Sequence, residues 1–321
     1  MPSPIDALSG NVIHTFEKPR GTLNADVLDA VKRGALSREI HILDEDAPPR
    51  GPKAIAPDAS SKGGVLPYIL IHRPHLELLW AFTYGWMVLY EEAVQKPLMS
   101  NTFFGPIVLD SGLKSRAAEL LSWASGLSRH YSPWPANLPS PIYAADQDET
   151  GYCLKANGVF QEAAAFLLYH EFAHVRQGHL KEYRSSDEAE AAYNKQLERE
   201  ADDFALRIFV SEGDDDEVRR LKGWPLLVPV LSSLYLINSP GMVFQDNHPH
   251  LHHRIHHVLT QLNFQDEQTR FYYWYLSSVV LTVFEQAHNI GGKRGQLEPQ
   301  TFETAYEALD AQMETLESLA D

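Results

Sequence analysis

Cysteine is almost missing from this chain of 321 residues, and Cys153 is the only one. No disulfide can close within the chain, which argues against a disulfide-stapled secreted domain. A thiolate-rich zinc site is excluded for the same reason. Positive charge is also scarce. Lys and Arg number 27 against 43 Asp and Glu, a net charge of −16. That balance supplies no basic face for nucleic-acid phosphates or anionic lipid, so neither is expected as a partner. Long apolar runs are lacking too. Leu78–Tyr90, Trp224–Ile237 and Phe271–Phe284 are apolar, but each is shorter than the roughly 20 residues of a bilayer span. Pro225 and Pro229 interrupt the second. All three read as buried core helices, with no stable membrane span. Residues 1–21 show no basic stretch followed by an apolar one, so they do not read as a signal peptide, and the expected compartment is the cytoplasm.

What is present suits a globular protein with a sizeable core, at 44% hydrophobic residues. Residues 1–65 are expected to be loosely organised, with a helix near Asn24–Arg33 and a long loop at Ala47–Gly64, where Pro and Gly cluster. Beyond them the pattern predicts a strand at Val65–Ile71 and helices at Leu76–Gln95 and Leu113–His130. A strand at Thr150–Leu154 and helices at Asp187–Val210 and Thr301–Leu319 follow. The aromatic stripe Trp80, Phe82, Tyr84, Trp86 and Tyr90 is expected to pack in the core.

The chemistry concentrates at His170-Glu171-Phe172-Ala173-His174, which lies in the apolar run Ala163–Val175. Positions four apart share one helix face, so His170 and His174 can both address one metal ion. Glu171 is rotated one residue away, where it can act on a bound water as general base. A catalytic zinc takes a third protein ligand. One class supplies it as a histidine six residues after the second, with a glycine between, but those places hold Gln177 and Leu180. His179 lies nine residues after His170 and would point to the opposite side of a straight helix. The other class takes a glutamate from a second helix. Glu198 fits, with Asp202 one turn later to accept a hydrogen bond from the outer nitrogen of a ligand histidine. Glu200 is the rival, but position 204 is Phe204, so it lacks the matching acid.

A third element, Asn247-His248-Pro249-His250-Leu251-His252-His253-Arg254-Ile255, follows. Together the motifs resemble the gluzincin metallopeptidases of the HtpX and CAAX prenyl protease class. They resemble still more their soluble relatives, the Lit-type phage-exclusion peptidases. That resemblance implies a predominantly helical α+β, zincin-like domain over residues 66–321, with a motif helix, a Glu-bearing helix and a small β-sheet. It implies Zn2+ held by His170, His174 and Glu198, with Glu171 as base and His248 stabilising the oxyanion. Arg254 would support the site or the substrate. The implied activity is a zinc endopeptidase of narrow specificity acting on a protein or peptide, in phage defence or stress response. The alternative is a zincin-fold sensor that binds or cleaves one transcription regulator. The six histidines among positions 248 to 257 read as a solvent-facing helix whose i,i+4 pairs could take up metal adventitiously.

Overall fold

The helix bearing residues 170–174 starts far upstream of the apolar run. Asp146 caps it, its carboxylate accepting from the Glu149 backbone N–H at 2.8 Å, and Asp148 and Glu149 place negative charge at the positive end of the helix dipole. It runs 31 residues, Gln147–Gln177, and stops at Gly178, whose φ of +82° is the left-handed conformation glycine adopts without a Cβ penalty. The strand expected at Thr150–Leu154 is therefore the opening of this helix. Gly151 and Gly158 weaken local helical preference, but the cap and the burial of Tyr152, Cys153 and Ala156 decide the outcome.

The computed structural model describes residues 3–18, 23–56, 66–103, 105–181, 188–237, 250–290 and 301–318. In order these form α1 (Asp6–Glu17), α2 (Leu23–Lys32), β1 (Ile40–Leu43), β2 (Lys53–Ile55), β3 (Tyr68–His72) and α3 (Arg73–Tyr90). A π turn at Glu91–Gln95 leads to α4 (Lys96–Met99), then α5 (Gly112–Gly126), α6 (Gln147–Gln177) and α7 (Glu188–Phe209). The chain continues through α8 (Asp216–Ser232), α9 (Leu251–Leu262), α10 (Glu267–His288) and α11 (Phe302–Glu317). The fold is α+β, mostly helical, with one small sheet.

In that sheet β3 is central. β1 pairs with it in parallel, Ile40 opposite Ile69, and β2 pairs antiparallel, Ala54 opposite the same Ile69. β2 thus forms an edge, and it falls inside the stretch that reads as loop. The sheet rests on α6, which α1, α3, α7 and α8 also contact. Alanines 156, 163, 164, 165 and 173 are buried along α6 and allow these elements to approach closely. The Tyr169 hydroxyl fastens α1, donating to the Phe16 carbonyl at 2.6 Å.

The three apolar segments form α3, α8 with the turn after it, and most of α10, and their side chains are core. The aromatic stripe of α3 is wholly buried, and Trp80 Nε1 donates to Asn157 of α6 at 2.7 Å. α8 meets α10 at Gly223, where a Cβ would stand 2.2 Å from the Tyr273 ring. α11 lies along α10 and touches α9. No described helix is long and apolar enough to cross a membrane.

Candidate metal centre and active site

α6 and α7 pack side by side because α7 offers small side chains where they meet. Ala201 and Ala205 are fully buried, and Phe204 sets its ring 6.0 Å from that of Phe172. This contact carries Glu198 to the motif histidines. The Nε2 atoms of His170 and His174 lie 3.2 Å apart. Glu198 places Oε2 3.2 Å from the first and Oε1 3.4 Å from the second. All three residues are buried. Four-coordinate zinc with bonds of about 2.0–2.1 Å sets its ligand atoms roughly 3.3–3.4 Å apart. The donor set and its spacing fit that ion.

Glu171 is buried beside them. Its Oε2 accepts a hydrogen bond of 2.6 Å from the backbone N–H of Ala54 in β2. The edge strand therefore orients the carboxylate that neighbours the metal donors.

Behind the donors, His170 Nδ1 lies 2.8 Å from Asp202 Oδ1. Arg254 of α9 donates to the same carboxylate twice, Nε to Oδ2 at 2.8 Å and Nη2 to Oδ1 at 2.7 Å. An Nδ1–H donated to Asp202 leaves the lone pair of Nε2 facing Glu198 and His174. Burial disfavours charge on His170, but Asp202 and then Glu198 outweigh it, and its pKa rises to about 10. A cation arriving among these donors displaces a proton. Burial likewise opposes charge on Asp202, yet Arg254 and His170 hold its carboxyl well below the usual carboxylate range.

A family model described as peptidase U49 matches residues 69–277, well over half of the chain. The chain belongs to the peptidase U49 family. This is the Lit-type phage-exclusion class that its motifs resemble. Family membership and the His-His-Glu cluster together make it a zinc-dependent metalloendopeptidase. No curated protein and no solved structure matches the chain. The U49 match takes in β3 and everything from α3 to α9, with half of α10, whereas α1, α2 and α11 lie outside it.

One residue of this U49 peptidase stands elsewhere than the sequence places it. His179 does not continue the line of α6. The left-handed Gly178 turns the chain back, and His179 Nδ1 comes to 3.1 Å from His174 Nδ1. Its Nε2 lies 3.4 Å from Glu200 Oε2. Glu200, the rival ligand, thus sits behind His179 and outside the donor cluster. One tautomer set serves this chain of contacts: His174 donates from Nδ1 to His179 Nδ1, and His179 carries its proton on Nε2, facing Glu200. The signal in the sequence is Gly178, whose enrichment at helix ends marks where a straight extrapolation fails.

His248 lies outside the described residues, as do Asn247 and Pro249. Arg254 lies on α9 directed at Asp202, so its contact is with the metal centre's support.

Proposed function

We propose that this U49 zinc endopeptidase hydrolyses a peptide bond in one or a few cytoplasmic proteins, with His170, His174 and Glu198 as metal ligands. A zinc ion held there would supply Lewis acidity toward a water molecule and the scissile carbonyl. Glu171, fixed by the Ala54 N–H, takes the proton of the attacking water and returns one to the leaving amine. Asp202 holds the His170 ring and its tautomer, and Arg254 holds Asp202. His179 and Glu200 do the same for His174. His248 is assigned to the oxyanion on the strength of the resemblance alone. Narrow specificity and a role in phage exclusion or stress response are carried over from the resemblance to the Lit-type peptidases. The net charge of −16 accords with a partner other than nucleic acid.

The observation that carries this reading is the convergence of two imidazole nitrogens and the two oxygens of the Glu198 carboxylate, with contacts of 3.2 to 3.4 Å, and Glu171 one residue along the same helix. Its test compares protein N-termini in cells producing the parent with those in cells producing Glu171→Gln. The parent is expected to generate new N-termini confined to a few proteins. Glu171→Gln generates none, while purified Glu171→Gln still holds zinc. Identical N-terminal profiles, or cleavage that survives a chelator, would sink the proposal.

A further inference from the structure

The histidine run of α9 brings together donors that the active site does not use. His252 is fully buried and His253 is half-exposed. Their rings sit in the opening turn of the helix, with centroids 4.2 Å apart. Glu317, from the last turn of α11, closes on both. Its Oε1 lies 2.8 Å from His253 Nε2 and 3.6 Å from His252 Nε2. One ligand atom from each of the three residues falls within 4.8 Å of the other two. The His250 ring stands beside this pair, at 5.7 and 5.5 Å between centroids.

A salt bridge between His253 and Glu317 accounts for the shorter contact alone. A second imidazole, buried at the helix start, turns its Nε2 toward the same oxygen, so one carboxylate faces two ring nitrogens. Two imidazole nitrogens and a carboxylate oxygen are the donors that borderline divalent ions favour, zinc, nickel and copper among them. The cluster also borders a cleft of 510 Å³, lined in part by His253, Glu314 and Glu317, which leaves room for an ion to enter and keep water ligands.

We propose that His252, His253 and Glu317 form a second transition-metal site, separate from the catalytic centre, that fastens α11 to α9. Water completes the coordination. The site joins a helix outside the family match to one inside it. The next residue along α9, Arg254, grips Asp202, so an ion here braces the helix that supports the metal centre without touching the reacting groups.

The test is the zinc content per chain of the full-length protein after equilibrium dialysis, with thermal unfolding as second readout. Both His253 and Glu317 are exposed enough to change without loss of the fold, which circular dichroism checks. Glu317→Gln and His253→Gln are expected to bind one zinc ion fewer than the parent. Zinc should also raise their Tm less. His257→Gln, four residues on and 2.7 Å from Asp203, should keep the parent's zinc content. Equal content in the parent and both site variants overturns the proposal. Loss of the ion in His257→Gln also overturns it, because the ion would then sit elsewhere in the histidine run.

Discussion

Arg254 grips Asp202 through two nitrogens, and the Asp202 oxygen that accepts from Nη2 also faces Nδ1 of His170. A helix from far along the chain thus sets the ring angle of a metal donor. Arg254→Met would leave the Asp202 carboxylate buried with one counter-charge removed. The expected loss is about 3–5 kcal/mol of stability at neutral pH. Zinc affinity should fall about 10–100-fold, the usual result of removing outer support from a ligand. Urea unfolding in the presence of chelator and a zinc competition assay read the two effects separately. An unchanged zinc affinity would make Arg254 a purely structural residue.

The contacts behind His174 yield a graded series. Glu198→Gln replaces an anionic ligand with a neutral amide oxygen and should abolish zinc binding. His179→Phe keeps the bulk but leaves His174 Nδ1 without that partner, for an expected loss of about 10–100-fold in affinity. Glu200→Gln acts one step further out, on a half-exposed carboxylate, and should cost less than His179→Phe. Zinc loss in Glu200→Gln with retention in Glu198→Gln would move the third ligand to Glu200.

Gly178 has a φ that other residues adopt at a cost. Gly178→Ala should destabilise the protein by about 1 kcal/mol, because a Cβ crowds the backbone in the left-handed region. Since this turn brings His179 to His174, zinc affinity should fall as well. A variant with full affinity would show that His179 reaches its place by other contacts.

Glu285 of α10 gives a pH signature remote from the metal. Burial pushes its carboxyl up to about 7, only partly opposed by Gln312 of α11. A carboxyl whose folded pKa exceeds its unfolded value of about 4.3 contributes stability below that value, which is lost as pH rises through the folded one. Glu285→Gln should therefore change little near pH 4.5. By pH 8 it should stabilise the fold by about 1–3 kcal/mol, the range allowing for partial solvation. Chemical unfolding of parent and variant across this range reads the difference. A stability gap that does not vary with pH would show that Glu285 does not titrate in this way.

Helical spacing made the core of the centre legible. His170 and His174 lie one turn apart, and so do Glu198 and Asp202, so local geometry already grouped them by face. Arg254 emerged from a motif rather than from periodicity, and the structure shows it reaching Asp202. The misreadings share a physical origin in tertiary context. Thr150–Leu154 has strand-like composition, yet a cap four residues earlier and burial on one side make it helix. His179 lies past a left-handed residue, where periodicity ends. β1 and β2 are four and three residues long. Such strands carry too little alternation to be read without their partner β3.

The contact between Ala54 and Glu171 involves main chain on one side. The hydrogen bond itself does not depend on which side chain stands at position 54, where burial favours a small one; proline alone would have no N–H to offer. The orientation of the base is therefore inherited through the path of the backbone rather than the identity of a residue. A change of side chain at position 54 that keeps the path of the strand would leave Glu171 held as before, whereas a shift of that path would turn the base with no change of sequence at either residue.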